Sequence, residues 1–224
     1  YVAKKFFEIG RGRENVSMAE NSRELASEIK RLTQGQWFLD KFYERAEETS
    51  TEEVIGDYDP SPASSIAMDE FVESTSVDPN SAITWLLEPL RAASMERWSS
   101  TLDHPTHPDK AGRTMDAFMH FSYLYSHQTI VFADLQSTKG RGHHGKSTHI
   151  LFDVMTHTPA QNSGVGDHGQ QGIESILAGH ACGQMCKGLD MGAENVLKKK
   201  KSSLGASKTR KAKRVRAELD SDSD

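Results

Sequence analysis

Cysteine is scarce in this sequence of 224 residues, since only Cys182 and Cys186 occur. Two cysteines cannot form the disulfide framework of a domain this size, so we expect a reducing compartment, cytoplasmic or nuclear. No run of about 18 or more apolar residues is present, and the sequence therefore predicts no membrane-spanning helix. Tyr1 is not a start methionine and no charged-then-apolar signal segment follows it, so we expect an excised piece of a longer protein.

Charge of one sign is missing from each half of the C-terminal tail. Residues 198–216 contain ten Lys and Arg and no acid, whereas residues 217–224 contain four acids and no base, which leaves a net charge of −11 on the rest of the chain. The basic clusters at 198–201 and 208–216 resemble a bipartite nuclear-import signal or a nucleic-acid tether, and a solvated disordered tail has the same composition. The serines in the acidic end at 220–224 are candidates for phosphorylation.

Hydrophobic residues make up 36% of the chain, which is enough for one sizeable core or two closely packed lobes. Periodicity predicts strands and helices that do not alternate regularly, and this favours the α+β class. Strands are expected at 1–7, 66–72, 83–87, 129–133 and 150–152, and helices from Asn21, with Glu24 as its capping-box partner, at 113–125 and from 173. Residues 137–148, rich in Gly, Lys and His, are expected to form a mobile loop.

A metal-binding pattern lies at residues 180–186, before the basic tail. His180, Cys182 and Cys186 lie within seven residues and include both cysteines of the chain. Imidazole and thiolate are the preferred ligands of structural zinc, which takes four ligands. The pattern therefore predicts a zinc site with a fourth ligand from elsewhere. Two small buried thiols and a surface histidine are the alternative.

Oxygen ligands follow two predicted strands. Asp134 and Gln136 come after the strand at 129–133, and Asp153 ends the strand at 150–152. Carboxylate and amide oxygens are the ligands that Mg²⁺ takes beside nucleotide phosphates, where such groups also position the nucleophile. Strand-end acids that simply face water are the alternative.

Two weaker signals accompany these motifs. Residues 164–169 (Gly-Val-Gly-Asp-His-Gly) precede a predicted helix, where backbone amides can approach a phosphate. This segment lacks the Lys-Ser/Thr of a P-loop, and an ordinary turn has the same composition. Lys4 on an apolar strand can pair with phosphates as a point charge, although a strand lysine is more often simply solvated.

The order of these motifs resembles the alpha-kinase family of atypical protein kinases, which includes myosin heavy chain kinases, the elongation factor kinase and channel-kinases. The resemblance covers roughly residues 1–191. It rests on the segments 2–6, 36–43, 85–89, 117–121, 134–136, 151–153, 163–169 and 180–186. The family's usual lysine is replaced by Arg97, Ser137 stands in place of glycine and Val154 in place of proline.

The resemblance implies a two-lobed protein-kinase-like fold with a zinc-stabilised C-lobe. The strands that normally precede Lys4 are absent, so the N-lobe is expected to be incomplete and the chain by itself need not be active. The implied division is a partial N-lobe at 1–88, a C-lobe at 89–194 and a disordered tail at 195–224.

The resemblance also implies a role for each site residue. ATP is expected to contact Lys4, Glu88 and Arg97, while Gln136 and Asp153 hold Mg²⁺ and Asp134 orients or deprotonates the substrate hydroxyl. The glycine loop, with Gly164, Gly166, Asp167 and Gly169, is expected to meet phosphate or peptide substrate. His120 is the implied fourth zinc ligand beside His180, Cys182 and Cys186.

These implications predict a serine/threonine protein kinase that transfers the γ-phosphate of Mg-ATP to a protein substrate. One alternative is a catalytically inactive relative used as a zinc-containing protein-interaction module. Another is a nucleic-acid-binding zinc protein driven by the basic tail, but the charge of −11 on the rest of the chain opposes contact with phosphate backbones. The identity of the substrate, the oligomeric state and the regulation are not indicated by the sequence.

Overall fold

Four helices and three small sheets make up the part of the chain that the computed structural model describes. That part comprises residues 1–7, 9, 16–49, 66–68, 72–74, 84–90, 94–141 and 147–192, all within the compact unit Tyr1–Ala193. The predictions for the tail from residue 195 onward lie outside it. The helices are α1 (Met18–Thr49), α2 (Lys110–Tyr125), α3 (Gly169–Gly179) and α4 (Gln184–Gly188). The strands are β1 (Val2–Lys4), β2 (Ile66–Met68), β3 (Val72–Ser74), β4 (Trp85–Glu88), β5 (Met95–Arg97), β6 (Val131–Ala133), β7 (Gln136–Arg141), β8 (Ser147–Phe152) and β9 (Met155–His157).

The strand pairing brings together segments that are far apart in sequence. The first sheet has the order β1-β4-β3 with antiparallel neighbours, and the third pairs β6 with β9 antiparallel. The second has the order β2-β8-β7-β5, in which β2 runs parallel to β8. The predicted α+β class is confirmed. The single strand expected at 66–72 is wrong, because β2 and β3 belong to different sheets.

Helix α1 begins three residues before its predicted start. Ser17 and Glu20 form the capping box, since Ser17 Oγ accepts from the Glu20 amide at 3.2 Å and Glu20 Oε2 accepts from the Ser17 amide at 3.0 Å. The predicted box of Asn21 and Glu24 is therefore wrong. The Asn21 side chain instead accepts from the Phe6 amide and donates to the Thr84 carbonyl, both at 2.8 Å. It anchors the segments next to β1 and β4 to the helix.

An aromatic cluster joins α1 to α2 and β6. Phe42 is fully buried, and its ring centroid lies 5.7 Å from that of Phe118 and 5.4 Å from that of Phe121, both edge-on. Phe38 packs edge-on against Phe132 at 5.7 Å. Because β6 leads directly into Asp134, this cluster fixes that residue relative to the long helix.

Helix α2 also begins three residues before its predicted start. Asp109 is its N-cap, and the Asp109 side chain accepts from the Gly112 amide at 2.8 Å. Such a cap stabilises a helix by about 1 kcal/mol. The predicted start at 113 overlooked this capping signal.

The mobile loop expected at 137–148 is wrong for residues 137–141 and 147–148, which belong to strands, while residues 142–146 lie outside the described part of the chain. Strands β7 and β8 pair antiparallel over six residues each, from Gln136 opposite Phe152 to Arg141 opposite Ser147. The β-branched Thr138 faces Ile150 across the ladder, and both are buried. At Gly140 an added Cβ would lie 2.6 Å from Cδ1 of Ile150, so the glycine makes room for a packed side chain.

The same hairpin contains a misleading motif. Residues 140–147 (Gly-Arg-Gly-His-His-Gly-Lys-Ser) match the spacing of a P-loop. A P-loop connects a strand to a helix whose N-terminus faces the phosphates. Here Ser147 begins β8, which returns antiparallel to β7. The described ends of the match therefore lie in two strands and not at a helix start, and residues 142–146 lie outside the described part of the chain.

Among the described residues, no helix combines the length and the apolar character that crossing a bilayer requires.

Candidate active site and metal centre

Three carboxylates surround the ammonium group of Lys4. Its Nζ lies 2.8 Å from Oε1 of Glu28, 2.9 Å from Oε2 of Glu88 and in contact with Asp153. Glu28 comes from α1, Glu88 from the end of β4 and Asp153 from the end of β8. The β1–β4 register pairs Val2 with Glu88 and Lys4 with Leu86, which places the lysine and this acid on neighbouring strands.

The cluster holds more negative than positive charge. Burial by itself lowers the pKa of Lys4, but the charges of Glu28 and Asp153 outweigh it and raise that pKa above its ordinary value. Burial raises the pKa of both Glu28 and Glu88, although Lys4 opposes the shift. Oε1 of Glu88 is buried without a hydrogen-bond partner among the described residues. This excess of carboxylate oxygens suits a divalent cation.

Asp134 and Asp153 lie at the same end of the two-stranded sheet. Ala133 pairs with Met155, so the residues just after β6 and just before β9 meet there. Both acids have a left-handed backbone, with φ of 49° at Asp134 and 52° at Asp153. Such a conformation is uncommon in non-glycine residues and concentrates at functional sites.

Arg97 is the nearest charged partner of Asp134. Its Nη1 lies 3.1 Å from Oδ1 of Asp134. The two segments are joined by their backbones as well, because the Asp134 amide donates to Ser100 O at 3.0 Å and the Leu135 amide donates to Ser99 Oγ at 2.9 Å. Burial raises the pKa of Asp134, with Arg97 lowering it and Asp153 raising it further.

Gln136 lies close to these acids in the strand register. It pairs with Arg97 on one side and with Phe152, the residue before Asp153, on the other. Its side chain is buried. The structure therefore brings Lys4, Glu88, Arg97 and Gln136 into one region with both aspartates.

Arg31 connects α1 to the segment that follows Asp153. Its Nε donates to Val154 O at 3.1 Å and its Nη1 donates to Ser163 O at 2.6 Å. Burial lowers the pKa of this guanidinium, and the nearby carboxylates, Glu28 first among them, oppose the shift. Only 6% of Arg31 is exposed, so its two hydrogen bonds are made inside the protein.

The glycine loop is organised from within by Asp167. Its carboxylate accepts from the amides of Thr158, Ser163 and Gly169 and from the hydroxyls of Thr158 and Ser163, at 2.7–3.1 Å. Burial alone would raise the pKa of Asp167, but these hydrogen bonds lower it overall. The Asp167 side chain is 1% exposed, so its contacts are with the loop itself.

Two glycines of this loop are required by close packing. Gly164 has φ of 118°, and an added Cβ would lie 2.2 Å from Nη1 of Arg31. Gly166 has φ of 85°, and an added Cβ would lie 2.4 Å from Sδ of Met155. Gly169 also has a positive φ, 64°. Contact of this loop with phosphate or peptide substrate stays a prediction.

The four predicted zinc ligands converge in the C-terminal part of the described chain. Sγ of Cys182 lies 3.4 Å from Nε2 of His180 and 3.7 Å from Nδ1 of His120, and Sγ of Cys186 lies 3.6 Å from Nε2 of His180. A tetrahedral shell with bond lengths of about 2.0–2.3 Å has edges of about 3.3–3.8 Å. These three separations match the edges of such a shell, and all four donor atoms lie within 4.8 Å of one another.

Burial shifts the pKa values of His120, Cys182 and Cys186 toward their neutral forms. Burial lowers the pKa of His120 to about 4, so its imidazole is neutral and free to donate a lone pair. Burial raises the pKa of Cys186 to about 12, and it raises that of Cys182 as well. Thiolates at these positions need a bound cation to offset the cost of burying their charge.

Sequence reasoning missed three residues of these sites. Glu28 and Arg31 lie in the buried stripe of α1 with Leu25 and Leu32, and charged residues within an apolar periodicity were the available signal. Asp116 lies one turn before His120 on α2 and accepts a hydrogen bond from His180 at 2.9 Å. The i, i+4 spacing to the implied ligand was the signal for that residue.

A lysine paired with a helix glutamate, facing acids at strand ends, is the arrangement that protein kinases use around nucleotide phosphates. The model of the alpha-kinase family matches residues 1–186 of the chain. The chain belongs to the alpha-kinase family, and the resemblance seen in its sequence is confirmed.

Solved alpha-kinase domains share the fold. The D663A mutant of the catalytic domain of myosin heavy chain kinase A is 20% identical, with a TM-score of 0.59 over 80% of this chain and 60% of that one. The alpha-kinase domain of the same enzyme complexed with ADP is 20% identical, with a TM-score of 0.56 over 76% of this chain and 60% of that one. Its complex with AMP-PNP is also 20% identical, with a TM-score of 0.55 over 76% and 57%. No curated protein sequence matches the chain.

The chain thus spans about 60% of the length of the solved domains that it matches. The alpha-kinase fold is shown. The division into a partial N-lobe at 1–88 and a C-lobe at 89–194 stays a prediction.

Proposed function

We propose that this chain contains the phosphotransfer site of a serine/threonine protein kinase that uses Mg-ATP. The observation that carries the proposal is the grouping of Lys4, Glu28, Asp153 and Asp134 in a member of the alpha-kinase family. The complexes of the similar alpha-kinase domain with ADP and with AMP-PNP support ATP as the phosphate donor.

Lys4 is the group proposed to hold the ATP phosphates. Its ammonium already pairs with Glu28 of the long helix, as the active-site lysine of protein kinases pairs with a helix glutamate, and it also contacts Asp153. Glu28 would keep the lysine in place while its Nζ donates to phosphate oxygens. Glu88 and Arg97, on either side of this region, are proposed to line the nucleotide site.

Oxygen atoms of Gln136 and Asp153 are proposed to hold Mg²⁺. Among the described residues, Glu28, Glu88 and Asp153 place carboxylate oxygens within 4.8 Å of one another, and this surplus of negative charge supports a cation next to Asp153. When bound, Mg²⁺ neutralises charge on the transferred phosphoryl group.

Asp134 is the proposed base for the substrate hydroxyl. Its carboxylate accepts the proton while the substrate oxygen attacks the γ-phosphorus and ADP leaves with the electron pair of the broken P–O bond. A carboxylate whose pKa is raised by burial is a better proton acceptor than a fully solvated one. Arg97, 3.1 Å away, orients the carboxylate.

The His120, His180, Cys182 and Cys186 group is proposed to hold a structural zinc. All four positions of the tetrahedron are filled by the protein, so this metal would stabilise the fold and take no part in the transfer. The donor spacing of 3.4–3.7 Å supports this assignment.

The direct test of the kinase proposal is transfer of radiolabelled phosphate from ATP to a generic basic protein. The assay compares this chain with the catalytic domain of myosin heavy chain kinase A, of which the chain covers 60%. Replacing Asp134 with alanine should lower turnover by about 10²–10⁴-fold. The control is Asp103→Ala, which removes an exposed carboxylate that accepts a hydrogen bond from the Ser100 hydroxyl. Near-normal turnover of the Asp134 variant would refute the assignment of the base.

A non-catalytic interaction module is the second candidate, and the Arg97–Asp134 ion pair is the observation that favours it. This contact occupies the proposed base with a cation of the protein itself. Under this proposal the wild-type chain binds zinc but transfers no phosphate, even when Arg97 is replaced by lysine, the residue usual in the family.

The zinc proposal is tested by metal analysis of the freshly purified protein, where one equivalent is expected. Removing the metal with a chelator should lower the melting temperature, since metal binding and folding are coupled. Absence of zinc together with an unchanged melting temperature would reject this part of the proposal.

A further inference from the structure

Asp116 connects two histidines through a single oxygen atom. Its Oδ1 lies 2.9 Å from Nδ1 of His180 and 2.7 Å from Nδ1 of His104. His104 lies in the segment before α2, Asp116 lies within α2, and His180 is the C-cap of α3. Three separate parts of the chain therefore meet at one carboxylate.

The hydrogen bond between His180 and Asp116 defines the tautomer of the His180 ring. A carboxylate oxygen only accepts, so Nδ1 carries the proton in His180. The remaining nitrogen of His180, Nε2, then presents a lone pair. That atom is the one that faces the sulfurs, at 3.4 Å from Cys182 and 3.6 Å from Cys186.

The fold also holds His104 firmly against α3. Its side chain is 7% exposed, and the His104 and His180 ring centroids lie 5.1 Å apart. At Gly179, the last residue of α3, an added Cβ would lie 2.9 Å from Cβ of His104. A larger residue at that position would push the histidine away from Asp116.

We propose that Asp116 and His104 are positioning residues of the metal centre: Asp116 fixes the tautomer and direction of His180, and His104 holds Asp116 in place, so that together they slow metal release. The inference rests on the zinc centre proposed above. Outer hydrogen bonds of this type orient metal-bound imidazoles and make them stronger donors, and losing one typically weakens metal binding 10–100-fold. Because Asp116 and His120 are one helical turn apart, α2 supplies both a ligand and the support of another ligand.

The test is the rate at which the zinc-loaded chain releases metal to an excess of a chromophoric chelator. Asp116→Asn keeps the size of the side chain and removes its charge, and it should release zinc about 10–100-fold faster than the unchanged protein. His104→Phe keeps an aromatic ring but removes the nitrogen that lies 2.7 Å from Asp116, and it should give a smaller increase. The matched control is Glu174→Gln, which neutralises an exposed acid of α3 bonded to Gln170, and it should release zinc at the unchanged rate.

A second measurement uses the unchanged protein and needs no variant to fold. Nitrogen-15 NMR of the histidine rings should show a proton on Nδ1 of His180 in the zinc-loaded state. A proton on Nε2 of His180 would overturn the proposal, because that nitrogen could not then bind metal.

The outcomes distinguish the positioning role of Asp116 and His104 from the existence of the zinc centre itself. If the unchanged chain binds neither zinc nor cobalt, the metal centre itself is rejected. If it binds one equivalent but the Asp116 and Glu174 variants release it equally slowly, the metal centre stands and the positioning role is overturned. Faster release by Asp116→Asn, with folding shown by an unchanged circular dichroism spectrum, supports both.

Discussion

Replacing Arg31 with methionine should destabilise the fold strongly, because its guanidinium makes two buried hydrogen bonds to backbone carbonyls. These join α1 to Val154, at 3.1 Å, and to Ser163, at 2.6 Å. A hydrogen bond from a charged group contributes about 1.5–3 kcal/mol, so two give a range of about 3–6 kcal/mol. Because methionine carries no charge, the variant avoids the free-energy cost of burying a guanidinium. The expected decrease in the free energy of unfolding is therefore about 2–4 kcal/mol.

Denaturant unfolding followed by tryptophan fluorescence would measure this loss. Arg23→Met is the matched control, since the Arg23 side chain is 62% exposed on the same helix, and it should change the free energy of unfolding by less than about 0.5 kcal/mol. Arg31→Lys keeps the charge but cannot reach both carbonyls, so it should fall between the two. Equal stabilities of Arg31→Met and Arg23→Met would refute the reasoning.

Two further predictions concern the nucleotide site and the glycine loop. Lys4→Met should raise the Kd for AMP-PNP about 10–100-fold, measured by calorimetry, whereas Lys5→Met should leave it unchanged because Lys5 lies over the rings of Phe7 and Trp85. Similar Kd values for both variants would contradict the proposed role of Lys4. Burial lowers the pKa of His157, so its contribution to stability is complete above the unfolded pKa of about 6.5 and is lost as pH falls below that value. His157→Gln should therefore lose less melting temperature than the unchanged chain between pH 7.5 and 5, and identical slopes would count against this account.

The site could be predicted from the sequence where a short motif contains its own chemistry. His180, Cys182 and Cys186 indicate zinc by residue type and spacing, and Asp134 indicates a site because it ends an apolar strand. The family resemblance then named His120, and the structure brings all four donor atoms within 4.8 Å of one another. No comparable local pattern indicates that Glu28 belongs to the site. The sequence shows it only as an acid on the buried face of a helix.

The fold was harder to predict where polar composition hides a buried strand. Residues 137–148 contain few apolar side chains, yet Ser137 and Thr138 are fully or almost fully buried because β5 and β8 cover them on both sides. Pairing between strands supplies the hydrogen bonds that make this burial tolerable, and composition alone does not reveal such pairing. The helix starts were missed for a simpler reason, since Ser17 and Asp109 cap them from outside the apolar periodicity.

Helix α1 supplies Glu28 to the lysine and Arg31 to the glycine loop from positions three residues apart. Successive residues of a helix differ by about 100° around its axis, so a rotation of that size would withdraw both groups together. The nucleotide end and the loop end of the site would then be released in one movement. The rotation of α1 about its axis thus controls both the Glu28 contact with Lys4 and the Arg31 contact with the glycine loop, which no strand pairing couples to each other.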